Sequence, residues 1–232
     1  MKIKHYLKVL LSSVYITVRS GPLKGRKWIA TTGIRFVKGD HEPYKTKAFT
    51  DNYKAGDTLF DIGAHVGYIS AIAAVIGQGK GKIIAFEPRP MNAMFFRKHM
   101  HINRFDNVTL YEAAVGETDG EVLFDTGQGS ATGHVSETGN ISVKQISAGR
   151  MVINGEIPPP HFIKIDVEGG EKAVLKDLNE VISSFRPKLL VATHNIDCRK
   201  FVEDFLNNKN YSFEILNPGS TRGDTEIMAI PR

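Results

Sequence analysis

The stretch DTLFDIGAHVGYIS, from Asp57 to Ser70, constrains the fold more than any other part of this 232-residue chain. An apolar run breaks at a glycine-containing turn and resumes with helical spacing, and a second apolar run, IIAFEP, ends on Glu87. This is a β-α-β unit, and parallel strands joined that way lie in a sheet covered on both faces. The rhythm continues. The pattern predicts strands over Thr58–Ile62, Lys82–Phe86, Val108–Ala114, Phe162–Val167 and Lys188–Thr193. Between them it predicts helices over Val66–Ile76, Pro90–Asn103, Glu171–Val181 and Arg199–Asn208. Ser212–Leu216 and Glu226–Ile230 are expected to close the chain as a hairpin. The fold class is therefore α/β: a Rossmann-like, doubly wound sheet, mostly parallel with an antiparallel C-terminal strand.

Two regions stand outside this rhythm. Residues 1–50 read as a small N-terminal extension, a helix and a hairpin packing on the core, with the hairpin near 27–38 around a Thr-Gly turn. Residues 51–232 form the main domain. Within it, 117–157 is rich in Gly, Ser and Thr and reads as a β-excursion or substrate loop, with short strands in GEVLFDTG and ISVKQIS.

Open α/β sheets bind ligands at the carboxyl ends of their strands, near the reversal of strand order. The turn at Gly63-Ala64-His65-Val66-Gly67 does not fit G-x-G-x-x-G, whose glycines let a pyrophosphate approach the backbone. His65 and Val66 put bulk there, which weakens a nicotinamide oxidoreductase reading. A ligand without phosphates relaxes the demand. S-adenosylmethionine is one: Gly63 and Gly67 would let the backbone pass beside it, Asp61 would face its cationic end, and Glu87 would accept from both ribose hydroxyls. The rival reading is that the glycines only close a tight turn and Glu87 caps a helix.

FDIGAHVGYIS, IIAFEPRP, AAVGE and above all FIKIDVEGGE resemble the FkbM-type S-adenosylmethionine-dependent methyltransferases, over roughly Gly56 to His194. The resemblance implies a class I methyltransferase fold and methyl transfer to hydroxyl oxygens of sugars or natural products. It implies a cofactor loop at Asp61, Gly63, Ala64, His65, Gly67 and Tyr68, with Glu87 and Pro88 on the ribose side. Ala114 and Val115 would lie along the adenine, and Asp166 would close the site. The chain departs from the family pattern at His65, where Asn is usual, at Ser147, where Asp is common, and at Val191-Ala192, where Glu is common.

Removing a proton from an acceptor hydroxyl calls for a base. The ends of the fourth and fifth strands offer Asp166 and His194 as catalytic candidates, His194 because an ordinary imidazole titrates near neutrality. Glu168, Glu171, His134 and Asn195 are candidates for the acceptor side. Asp166 with His194-Asn195 also resembles the divalent-metal set of catechol-type O-methyltransferases, and the metal stays unassigned.

The net charge of +5 is spread without a run of five like charges, and no aromatic residues interleave with it. No nucleic-acid partner is expected, although a non-catalytic cofactor- or RNA-binding module stays an alternative. The single Cys198 excludes an intrachain disulfide and agrees with a cytoplasmic location. The apolar run Val9–Val18 is too short to span a bilayer. With its early lysines it leaves room for peripheral membrane contact. The expected partner is a small-molecule or glycan acceptor, and the residues do not set an oligomeric state.

Overall fold

The computed structural model describes residues 11–127, 132–217 and 224–232. Most of the expected N-terminal helix falls on residues 1–10 and part of the excursion on 128–131, both outside the described residues. The chain opens with β1 (Tyr15–Thr17), β2 (Lys27–Ile29), α1 (Ile34–Lys38) and α2 (Pro43–Asn52). Then come β3 (Leu59–Ile62), α3 (Tyr68–Gly77), β4 (Ile83–Phe86), α4 (Pro90–Asn103) and β5 (Val108–Tyr111). The excursion holds β6 (Ala114–Val115), β7 (Gly120–Asp125), β8 (His134–Val135), β9 (Ile141–Ile146) and α5 (Ala148–Ile153). The pattern resumes with β10 (Phe162–Ile165), α6 (Glu171–Asp177), α7 (Asn179–Phe185), β11 (Lys188–His194) and α8 (Ile196–Asn208). It ends with β12 (Tyr211–Ile215) and β13 (Asp224–Pro231).

The central sheet has the order β12-β13-β11-β10-β3-β4-β5. Only β13 runs against its neighbours, pairing antiparallel with both β11 and β12. Strand order reverses at β3, so a crevice opens there between the loops after β3 and β10. β3, β4 and β10 are buried at every position, as strands covered on both faces must be. The excursion makes a second sheet, β6-β9-β7-β8.

Four expectations are corrected. No hairpin forms over 27–38: Lys27–Ile29 pairs with Tyr15–Thr17, and Ile34–Lys38 is helical. Phe36 and Val37 are adjacent and both buried, a pattern a helix turn provides and an alternating strand does not. The strand expected over Val108–Ala114 is split, since β5 ends at Tyr111 and Ala114–Val115 joins β9 in the second sheet. The helix expected over Glu171–Val181 bends at the fully buried Leu178, where the Asp177 carboxylate accepts from Ser147 and from the Gly149 amide. The last helix starts at Ile196 because Asn195 caps it, its side chain accepting from the Cys198 amide at 2.8 Å. Among the described residues no helix is long and apolar enough to cross a membrane.

The N-terminal segment is tied to the turn after β3 by a buried histidine. Trp28, fully buried, stacks on His99 with ring centroids 3.7 Å apart. His99 Nε2 accepts from the Ile29 amide at 3.1 Å, which assigns the proton to Nδ1, donating to the Val66 carbonyl at 2.8 Å. Burial pushes the His99 pKa down to about 4 from 6.5. Below pH 6.5 the unfolded chain takes up a proton that the native chain refuses. Stability present above 6.5 is therefore lost as the pH falls toward 4. His99→Leu leaves the Ile29 N–H and the Val66 carbonyl without partners. It is expected to cost roughly 2–5 kcal/mol, read by urea unfolding at pH 7.5. The pH dependence of stability between 6.5 and 4 should shrink in the variant, and an unchanged profile would show that His99 is not the titrating group.

Candidate active site

A cavity of about 440 Å³ opens at the carboxyl ends of β3, β4, β10 and β11, a size suited to a small-molecule ligand. Of the residues singled out from the sequence, Asp61, Gly63, Ala64, His65, Tyr68, Glu87, Pro88, Ala114, Val115, Asp166, Glu168 and His194 line it. Gly67, Glu171, His134 and Asn195 do not.

The two glycines of the turn are required by the chain's own packing. Gly63 has φ +77, and a Cβ there would meet the Asp166 carbonyl oxygen at 1.9 Å. Gly67 has φ +89, and its Cβ would meet Phe96 and Met100 of α4 at 2.8 Å. His65 holds a left-handed φ of 51 without being glycine. Its amide donates to Glu87 Oε2 at 2.8 Å, while the Arg89 amide donates to Oε1 at 2.9 Å. Asn92 Nδ2 adds a third donor at 3.2 Å. Glu87 thus joins the loops after β3 and β4. Burial raises its pKa, and these donors offset the rise only in part.

Asp61 is fully buried, with Oδ2 hydrogen-bonded within the chain and Oδ1 held only by an ion pair. Oδ2 accepts from the Ser70 amide at 3.1 Å and the Ser70 hydroxyl at 2.6 Å, and Oδ1 lies 3.2 Å from Lys164 Nζ. Lys164 pairs directly across from Asp61 in the sheet, and its ammonium also donates to the Gly63 carbonyl at 2.6 Å. A second buried lysine, Lys45 on α2, reaches Asp166 Oδ2 at 2.8 Å and Glu42 at 3.0 Å. Burial alone would lower the Lys45 pKa, but Asp166 and Glu42 overcome it and hold it high. The same pairing holds Asp166 well below the carboxylate range despite its burial.

His194 ends β11 inside a cage of carboxylates. Its Nδ1 is 2.8 Å from Glu171, and its Nε2 is 3.3 Å from Glu168 and 3.5 Å from Asp166. Burial would lower its pKa, yet the carboxylates push it up to about 10. The ordinary titration near neutrality expected of it is not met, because three anions stabilise the imidazolium. Glu171, fully buried, stands behind the imidazole and also accepts from the Gly169 amide at 2.9 Å. Asn195 is spent on its helix cap. His134 does not line the cavity, whereas its neighbours Gly133, just before β8, and Val135 do.

Sequence reasoning missed Lys45 and Lys164. Lys164 carried a signal: a lysine inside the apolar run FIKI must find a buried partner. Lys45 carried a weaker one, sharing a helix face with Ala48 and Phe49, both buried.

The FkbM methyltransferase domain model matches residues 61–213, about two thirds of the chain. The chain belongs to the FkbM methyltransferase family. This makes it an S-adenosylmethionine-dependent methyltransferase and displaces the oxidoreductase and non-catalytic alternatives. Among curated proteins it is similar to the hexuronic acid methyltransferase AglP of Haloferax volcanii, 27% identical over 185 residues covering 78% of this chain and 74% of that one. The crystal structure of methyltransferase FkbM from Methylobacillus flagellatus superposes with a TM-score of 0.56 at 20% identity. The match covers 75% of this chain but only 43% of that one. A precorrin-6Y C5,15-methyltransferase from Geobacter metallireducens gives 0.54 at 14% identity, over 80% and 86% of the two chains. These two structures share the fold.

The residues of this FkbM-family site fit the methyl donor. His65 Nε2 is buried, lines the cavity side of the turn and has no hydrogen-bond partner in the protein. Such a group calls for a ligand. Glu87 brings carboxylate oxygens to the cavity at the end of β4, acceptors of the kind that ribose hydroxyls would donate to. The chemistry of Asp166, Glu168 and His194 also fits a divalent cation, since one ligand atom from each lies within 4.8 Å of the others.

The ion pairs make a stability prediction. Lys45→Met removes the nearest cation of both Asp166 and Glu42 and leaves Asp166 only the longer contacts to His194 at 3.5 Å and Lys164 at 3.9 Å. It should cost about 3–5 kcal/mol, measured by denaturant unfolding. Combined with Asp166→Asn, the loss should be smaller than the sum of the two single losses. Additive losses would show that the pair is not coupled.

Proposed function

We propose that this chain methylates a hydroxyl oxygen of a sugar, glycan or small natural product at the end of the cavity where Asp166, Glu168 and His194 meet. The observation that carries the reading is this convergence, at the ends of β10 and β11, in the same cavity that Glu87 lines from β4. The similarity to AglP, a hexuronic acid methyltransferase, supports a sugar as acceptor. S-adenosylmethionine supplies a methyl group already activated on a sulfonium. The protein's tasks are to hold the acceptor oxygen in line, exclude water and receive a proton. Glu87, Gly63, Ala64 and His65 would hold the ribose and methionyl portions, with Pro88, Ala114 and Val115 along the adenine. Asp61 would act through the turn, by fixing the start of α3 and the Lys164 ammonium.

Asp166 is too weak a base for the proton, because Lys45 stabilises its anion. His194 becomes a base only after losing the proton that its three carboxylates hold. Turnover in metal-free buffer would then rise about tenfold per pH unit toward the His194 pKa of about 10. His194→Ala should lower turnover by about 100-fold or more and flatten that rise, while leaving S-adenosylhomocysteine affinity intact. A second reading is favoured by the three ligand atoms within 4.8 Å. A divalent cation held by Asp166, Glu168 and His194 would displace the imidazole proton and lower the pKa of the acceptor hydroxyl. In that case EDTA abolishes activity, Mn²⁺ or Mg²⁺ restores it, and the alkaline rise disappears. A His194→Ala enzyme with wild-type turnover, indifferent to EDTA, would exclude both.

The cofactor assignment has its own test. Glu87→Ala should weaken S-adenosylhomocysteine binding by about 2–3 kcal/mol in calorimetry. Unchanged affinity in a folded variant would remove Glu87 from the ligand's contacts and leave it the role of joining two loops.

A further inference from the structure

The residues matched to the family start at 61, yet the cavity has a wall built by the segment before them. Phe36, His41, Glu42 and Lys45 line it, and Glu226 of β13 joins them from beyond the matched region. Their positions are held firmly. The His41 ring packs on Phe36 at 4.1 Å and stands edge-on to Tyr68 at 5.2 Å. The Thr46 hydroxyl donates to the His41 carbonyl at 2.9 Å, and the Thr46 amide to the Glu42 carbonyl at 2.8 Å. Glu42 sits at φ 44, a left-handed conformation that costs a non-glycine residue free energy. Such strain persists only where the surroundings enforce it.

The charges of this wall are unequal. The Lys45 ammonium is shared by Asp166 at 2.8 Å, Glu42 at 3.0 Å and Glu226 at 3.9 Å. His194 stands among Asp166, Glu168 and Glu171. With Lys164, which lies 3.2 Å from Asp61 and 3.9 Å from Asp166, three cations (Lys45, His194, Lys164) face six carboxylates (Asp61, Asp166, Glu42, Glu168, Glu171, Glu226). Arg89, near Glu87, donates to the Thr126 carbonyl at 3.0 Å. Burial and the neighbouring anions Glu42 and Asp166 raise the Glu226 pKa, against the opposing pull of Lys45. A ligand entering this end meets acceptors in excess and, among the described residues lining the cavity, each cation has a carboxylate near it.

We propose that Phe36, His41, Glu42 and Glu226 form the acceptor subsite, and that it takes an uncharged sugar ring in preference to a uronate. A neutral pyranose donates its hydroxyls to Glu42 and Glu226 and lays an apolar C–H face on the aromatic wall. A uronate brings a further anion among carboxylates, a juxtaposition that disfavours its binding. It also needs no base when its own carboxylate is the nucleophile, so the proton-handling groups around His194 would have no task. The inference rests on the sugar reading above and narrows it to neutral sugars, a class that differs in charge from the hexuronic acid for which the AglP relative, 27% identical, is named.

The test pairs methyl hexosides with methyl hexuronosides of the same ring configuration, in the gluco, galacto and manno series. Methyl transfer is measured at low ionic strength, and acceptor binding is measured calorimetrically with S-adenosylhomocysteine present. The wild-type enzyme should favour the neutral member by about tenfold or more in kcat/KM. That preference should weaken as salt is raised. Glu42→Gln with Glu226→Gln should narrow it while leaving S-adenosylhomocysteine affinity unchanged. The salt series on the wild-type protein stands even if the double variant does not fold. A wild-type preference for the uronosides would overturn the inference and leave the sugar reading intact. Failure of both members of every pair to bind, with S-adenosylhomocysteine still bound, would overturn the sugar reading and the inference together.

Discussion

The contact between Lys45 and Asp166 joins parts of the chain that are 121 residues apart and brings them to one cavity. An ammonium taken out of water loses several kcal/mol of hydration, and only close carboxylates with good geometry repay it. Lys45 has them, at the cost of demanding that α2 sit against the end of β10. The N-terminal segment is therefore part of the site's wall. The same ion pair sets the state of Asp166, which stays ionised where burial alone would have neutralised it. From there the charge pattern spreads to His194, whose proton is held by Asp166, Glu168 and Glu171.

A second buried pair performs a parallel task one strand over. Lys164 and Asp61 face each other across adjacent parallel strands, and Asp61 holds Ser70 at the start of α3. The turn between them needs Gly63, because the Asp166 carbonyl occupies the space a side chain would take. On its far side, His99 ties the Val66 carbonyl to the Ile29 amide. The turn is fixed by the sheet below and the N-terminal segment above, so its exposed edge can be specific without being mobile. Pre-organisation of this kind lowers the ordering cost of binding.

Glu87 illustrates how one residue satisfies two demands. Its carboxylate accepts amides from the loops after β3 and β4, which would otherwise carry unpaired donors in a buried crevice. It also presents oxygens to the cavity. A role in ligand binding and a role in holding the turn are compatible, which is why substitution of Glu87 is informative only when affinity and stability are measured separately.

The sequence determined the framework. Apolar runs alternating with helical periodicity specified a mostly parallel sheet with one reversed C-terminal strand, since a strand buried on both faces leaves no other composition open. Local strings also carried the turn and the acid at the end of β4, because ligand sites of open sheets follow chain-local geometry. Tertiary structure decided what depends on contacts between distant segments. The pairing of β2 with β1, the hand-over from β5 to β6, and the bend at Leu178 came from competing partners that no window of sequence contains. So did the protonation of His194: an imidazole read alone titrates near neutrality, but three carboxylates on the segment from the end of β10 to the start of α6 hold it as a cation. Asn195, a candidate for the acceptor side, caps the last helix, its side chain accepting from the backbone amide three residues on. Lys45 was legible only as a lysine on a buried helix face; that its partner was Asp166 followed from the fold, where the hydration an ammonium loses on burial must be made good by whatever anion the packing brings to it.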